Sequence, residues 1–205
     1  MKNKTERIIT MANKELIIYV DMDGVLVQYE RAAYTGNDPQ YCRPGFHYFR
    51  QLKPDIRMVS VLQELNKNPK VSVKILTSVS NKGSLFLEQA EDKIEWLHEF
   101  CPFIDTDTQF IATASNKRAI AEYLCSTSNV PIFQNFGINH ILIDDYNKNL
   151  EEWYKAGGTG IKYINGLNDP TSYKGLILDL NMSNEDIVKL ITNHINYLAR
   201  ENEPH

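Results

Sequence analysis

The chain has 205 residues, 22 basic and 26 acidic side chains, and a formal charge of −4. Hydrophobic residues are 42% of it and charged residues 23%, ordinary globular usage that excludes disorder or a fibrous repeat as a reading of the whole chain. The longest unbroken apolar run, LIIYV at 16–20, is far short of the roughly 20 residues that a membrane helix needs, and the polar residues 1–10 do not resemble a signal peptide.

Residues 1–14 read as an N-terminal extension. Residues 15–20 (ELIIYV) are a short β-rich run that stops at Asp21, which predicts a buried strand ending in a loop. Residues 27–55 fit neither the strand nor the helix period. They are rich in Tyr, Phe, Arg, Gly and Pro and read as a small cap insertion over the sheet edge. Met58, Val61, Leu62 and Leu65 have helical spacing; NKNPK at 66–70 is a turn, and VSVKIL at 71–76 a second strand. Residues 85–100 predict a helix with Ile94, Trp96 and Leu97 near its buried side. A weak strand at 109–112, a helix at 117–124 and a strand at 140–143 follow. A helix at 148–156, stopped by Gly157 and Gly158, leads to a strand at 161–164. The last helix spans 183–198, with Ser183 and Asp186 as its N-terminal cap. Strands alternating with helices predict an α/β fold, a doubly wound parallel sheet in a Rossmann-like three-layer arrangement. The core is expected at 15–205, with the cap at about 27–55.

In that class, ligands bind beyond the carboxyl ends of the strands. Asp21 and Asp23 follow the first strand, Thr77 and Ser78 the second, Lys117 stands a few residues after the third, and Asp144 and Asp145 follow the fourth. Carboxylates converging without a counter-charge repel and share protons. A divalent cation resolves this, and oxygen-only donors suit Mg²⁺. The hydroxyls and the lysine offer donors for a phosphate group. One aspartate has the chemistry to attack phosphorus while its neighbour protonates the leaving oxygen. Each piece has a plain structural reading: a turn for the DxDG run, a helix cap for Thr77 and Ser78, a solvated Lys117, and a helix-start preference for Asp144 and Asp145. The ordered set at four strand ends favours one shared site.

IIYVDMDGVLV, KILTS, Lys117 and ILIDDYNKNLEEW together resemble the haloacid dehalogenase (HAD) superfamily of phosphatases, in the same order, over about residues 15–165. The resemblance implies a HAD-like core with a shortened cap. It implies Asp21 as nucleophile and Mg²⁺ ligand, and Asp23 as general acid that also meets the metal through its backbone carbonyl. It further implies Thr77 and Lys117 on the phosphoryl group, and Asp144 and Asp145 completing the metal shell. YCRPGFHYFRQLKPDIRMVSVLQEL, LTSVSNK, EDKIEWLHEF and IDDYNKNLEEWYKAGGTGI further resemble the 5'(3')-deoxyribonucleotidase family, which implies a nucleoside monophosphate substrate with Ser78 and Lys82 near its phosphate. Two departures are visible. Only residues 27–43 precede the Pro44 stretch where that family carries a longer cap, and Ser115 stands where its animal members carry Arg.

Tyr29, Tyr34, Tyr41, Phe46, Tyr48 and Phe49 crowd the cap, to stack on a base or to pack it onto the sheet; Arg43, His47 and Arg50 read as a solvated face, with contact to a substrate anion as the alternative. Cys42, Cys101 and Cys125, widely spaced and without a CxxC, fit a reducing cytoplasm. A pI near 5.7 argues against nucleic acid as a partner. The expected activity is Mg²⁺-dependent hydrolysis of nucleoside 5'-monophosphates. The alternatives are another monoester, such as a sugar phosphate or a nucleic-acid 3'-phosphate, or a phosphate-binding protein without activity. A homodimer stays open.

Overall fold

The structure, a computed structural model, describes residues 16–29, 39–126, 139–168, 172–179 and 181–201. The N-terminal extension, Tyr34, His205 and the side chain of Cys125 fall outside the description.

Six parallel strands form one sheet in the order β5-β4-β1-β6-β7-β8. They are β1 (Leu16–Val20), β4 (Val71–Ser78), β5 (Phe110–Thr113), β6 (His140–Asp144), β7 (Thr159–Tyr163) and β8 (Leu176–Leu178). Between them run α1 (Ile56–Lys67), α2 (Gly83–Phe100), the single turn α3 (Thr106–Gln109), α4 (Lys117–Ser126) and α5 (Asn147–Lys155); α6 (Asn184–Glu201) ends the fold. Thr77 and Ser78 therefore belong to the end of β4, two residues beyond the expected strand. Neither β8 nor α3 was expected.

Successive residues of a strand face opposite sides, and β1 shows it: Leu16, Ile18 and Val20 pack with Met58, Leu62 and Trp96, whereas Ile17 and Tyr19 pack with Leu150 and Trp153. Helices thus cover both faces, the condition for a parallel sheet of this kind. Trp96 and Leu97 are buried as expected; Ile94 is half-buried. Asp55 starts α1 by accepting from the backbone N–H of Arg57 and Met58, at 3.1 and 3.2 Å. Gly157, with φ +104°, and Gly158 close α5, and the Ser183 Oγ accepts from the Asp186 N–H at 3.1 Å.

The chain runs from β1 outward through β4 to β5, then returns to place β6 against the other side of β1. The direction of winding reverses between β1 and β6, with Val20 paired to Ile143. This is the crevice where doubly wound folds bind ligands.

The cap region contributes a two-residue ladder, β2 (Val27–Gln28) with β3 (Lys53–Pro54), and two 3₁₀ turns at Gln40–Cys42 and Tyr48–Gln51. Tyr48 and Phe49 are buried with Tyr41 and Leu52 against them. His47 and Arg50 are exposed, as expected, and are also tied to the core: His47 Nδ1 and Arg50 Nε lie 2.8 and 2.7 Å from Oδ1 of the buried Asp92 on α2. The Trp96 indole N–H donates to Leu52 O at 2.8 Å. No described helix is long and apolar enough to cross a membrane.

Candidate active site

The ends of β1 and β6 bring carboxylate oxygens of Asp21, Asp144 and Asp145 within 4.8 Å of one another. All three residues are buried. Lys117, the first residue of α4, is fully buried and reaches in at 2.8 Å from Asp21 Oδ2 and 2.6 Å from Asp144 Oδ2. Burial works against its charge, but Asp144 and Asp21 outweigh burial and hold its pKa well above the ordinary lysine value. Asn116 fixes the start of α4 by accepting the Ala119 N–H at 2.8 Å.

The two acids after β6 are held differently. Asp144 accepts three hydrogen bonds: Oδ2 from Lys117 and from Asn149 Nδ2 at 2.9 Å, and Oδ1 from the Tyr146 N–H at 2.8 Å. Burial raises its pKa to about 6 even against Lys117. Asp145 receives amides at Oδ2, from Asn165 at 2.7 Å and Asn168 at 2.5 Å. Burial, then Asp21 and Asp144, raise it to about 7. Its backbone carbonyl accepts from the buried Lys162 Nζ at 2.7 Å. Gly24, at φ +79°, leaves the space that the Asp145 carboxylate fills; a Cβ there would collide with it.

Asp23 belongs to a second cluster. Its Oδ2 lies 2.6 Å from Lys93 Nζ, which also donates to Thr77 Oγ1 at 2.7 Å and Ser78 O at 2.9 Å. Burial raises the Asp23 pKa, with Lys93 opposing and Asp21 adding to the rise. Its Oδ1 is buried and has no hydrogen-bond partner among the described residues. Asp23, Ser78 and Lys82 line a cleft of about 480 Å³ together with Tyr41, Phe49 and Gln89. Gln89 joins its walls, accepting from the Ser80 N–H and donating to Tyr41 O, each at 2.7 Å.

The eight residues singled out from the sequence thus fall into two adjoining clusters and one cleft. Asp21, Asp144, Asp145 and Lys117 form the first cluster, and Asp23 and Thr77 the second. Ser78 and Lys82 stand on the cleft wall, where Lys82 is exposed. The strand-end reading passed over Lys93, Asn149, Lys162, Asn165 and Asn168. For Lys93 a signal was present: with Leu85, Gln89, Trp96 and Leu97 it falls on the buried side of α2, where a lysine needs partners. The carboxylates of Asp21, Asp144 and Asp145 form an oxygen set suited to a hard divalent cation such as Mg²⁺, with the Asn149, Asn165 and Asn168 amides donating N–H to two of them.

No family model matches the chain, and no curated protein matches it. Solved structures do. A haloacid dehalogenase-like hydrolase from Streptococcus pneumoniae aligns at 12% identity and TM-score 0.55, over 86% of this chain and 99% of its own. A hydrolase of the same description from Xanthomonas campestris aligns at 9% and 0.57, over 90% and 98%. A D,D-heptose 1,7-bisphosphate phosphatase from B. bronchiseptica, solved with magnesium and phosphate, aligns at 11% and 0.54, over 87% and 98%. Identities this low speak for architecture alone, and on that ground the chain has the fold of the haloacid dehalogenase-like hydrolases.

Proposed function

We propose that the protein is a Mg²⁺-dependent phosphomonoesterase of the haloacid dehalogenase superfamily that works through an aspartyl-phosphate. The observation that carries this reading is the pair of lysine-held acids at the end of β1: Asp21 faces Lys117 and the β6 carboxylates, while Asp23 faces the cleft with a raised pKa.

Asp21 is the nucleophile. One of its carboxylate oxygens forms a bond to phosphorus as the bond to the leaving oxygen breaks, and Asp23 gives that oxygen its proton. The Asp23 carboxylate then takes a proton from water, which attacks phosphorus and releases Asp21. Asp23 has the pKa direction that a group protonated at rest requires. Lys117, fixed between Asp21 and Asp144, and Thr77 bind the phosphoryl oxygens, with Ser78 and Lys82 at the cleft edge. Mg²⁺, when bound, offsets the charge of the carboxylates and the phosphoryl group. Asp21 and Asp145 would hold it through side chains and Asp23 through its backbone carbonyl. Asp144, hydrogen-bonded to Lys117, Asn149 and Tyr146, orients Lys117 and would complete the metal shell beside Asp145.

The substrate is a nucleoside 5'-monophosphate, with deoxyribonucleotides preferred. Tyr41 and Phe49 on the cleft wall offer aromatic surface to a base. A second reading, a sugar phosphate or a nucleic-acid 3'-phosphate, is supported by the polar wall of Ser80, Asn81, Lys82 and Gln89. Phosphate release should be measured from dUMP, dTMP, sugar phosphates and a 3'-phosphorylated oligonucleotide, with and without Mg²⁺. Turnover of the mononucleotides only with Mg²⁺, abolished by Asp21→Asn, is expected. Wild-type turnover by Asp21→Asn would overturn the mechanism, and preference for another ester would move the assignment to the second reading.

A further inference from the structure

Lys93 lies at none of the strand ends that carry the other site residues. It stands in the third turn of α2, its side chain 0% exposed, with Nζ between the ends of β1 and β4. A lysine ammonium has three N–H donors. Asp23 Oδ2, Thr77 Oγ1 and the Ser78 carbonyl accept from it at 2.6, 2.7 and 2.9 Å. The Phe49 ring covers the same Nζ, with its centroid 4.2 Å away.

The consequences fall on the two side chains. With Oδ2 held by Lys93, the Asp23 carboxyl is fixed in rotation, its Oδ1 buried and its side chain 18% exposed on the cleft wall. Because Thr77 Oγ1 accepts from Lys93, its own hydroxyl proton is available for another acceptor. A single buried side chain thus fixes both the Asp23 carboxyl and the Thr77 hydroxyl.

Resting on the phosphatase reading, we infer that Lys93 is a positioning residue for leaving-group protonation: it holds the Asp23 carboxyl on the cleft wall for the leaving oxygen of the ester. Its effect therefore depends on how much the leaving group needs a proton. An alkoxide needs one; a 2,4-dinitrophenolate departs without it.

The test compares Lys93→Met with wild type on an alkyl phosphate monoester and on 2,4-dinitrophenyl phosphate. General-acid contributions span two to four powers of ten, so kcat on the alkyl ester is expected to fall roughly 100-fold, with the aryl ester losing about fivefold or less. Thr77→Val serves as the contrast, lowering both esters alike. Mg²⁺ affinity by titration calorimetry and the far-ultraviolet circular dichroism spectrum should match wild type. Lys93→Gln, a shorter neutral donor, is measured in parallel, so that either folded variant decides. An unchanged ratio between the two esters in a folded variant overturns the role given to Lys93 and leaves the phosphatase reading standing. A wild-type protein that cleaves neither ester with Mg²⁺ overturns both.

Discussion

Lys117 Nζ stands 2.8 Å from Oδ2 of Asp21, and the same Nζ holds Asp144 at 2.6 Å, so one cation joins the ends of β1 and β6. Both the lysine and Asp144 are fully buried. Removing one member of such a group leaves uncompensated charge, which costs about 3–5 kcal/mol. Lys117→Met is expected to lower stability by about 3 kcal/mol at neutral pH without Mg²⁺. The deficit should shrink as the pH falls and the carboxylates protonate. Urea unfolding at pH 5 and pH 7.5 checks this; an equal deficit at both would contradict the charge argument.

Asp145 and Asp144, with pKa values raised to about 7 and about 6, bind more protons folded than unfolded below those values. Their contribution to stability therefore falls as the pH rises from about 4 to about 7 and is constant above. A bound cation favours the ionised carboxylates and removes that loss. The rise in melting temperature on adding Mg²⁺ is expected to be larger at pH 7.5 than at pH 5. Differential scanning fluorimetry across that range measures it, and a pH-independent Mg²⁺ shift would count against Asp145 as ligand.

Gly24 and Gly45 both have positive φ, at +79° and +72°, but only Gly24 faces a neighbour that an added Cβ would strike. Left-handed backbone costs an L-residue about 1–2 kcal/mol. Gly45→Ala is expected to lose about that much stability and keep Mg²⁺ binding. Gly24→Ala should lose more and weaken Mg²⁺ binding at least tenfold, about 1.4 kcal/mol, by displacing Asp145. Calorimetric titration of both variants separates the two effects.

Asp55 caps α1 through Oδ1 and accepts the Tyr163 hydroxyl at Oδ2, 2.5 Å away. Losing an N-cap costs about 1 kcal/mol, and an abandoned buried hydroxyl adds about 1 kcal/mol more. Asp55→Ala should therefore cost about 2 kcal/mol in chemical denaturation, with Asp55→Asn recovering part. Mg²⁺ affinity should not change, since Asp55 takes no part in the carboxylate cluster.

The parts legible in sequence are those where a short apolar run stops abruptly at a polar side chain. LIIYV before Asp21 and HILI before Asp144 are such cases: a strand buried on both faces has no reason to end in carboxylates unless the end has a task. For Lys93 the helical spacing showed a place on the buried side of α2 but not its partners, which lie 15 to 70 residues away. Asn165 and Asn168 read as ordinary loop residues until the fold sets them against Asp145. β8 is three residues long at a sheet edge, too short for a period to register. The exposure of Arg50 and His47 was legible but their ion pairs were not, because their partner, Asp92, is brought to them by α2 from more than 40 residues downstream.

The reversal of winding between β1 and β6 also orders events in time. Asp21 leaves the ribosome before its partners on β6, which follow after more than 120 further residues, by which point β1 can already have paired with β4. The nascent chain is committed to a half-sheet that lacks any place for the cation until 140–145 emerges and closes the open edge of β1. A cation held by Asp21 together with the β6 carboxylates would therefore have to await the longest-range strand pairing in the sheet, and its occupancy would report that this pairing is complete.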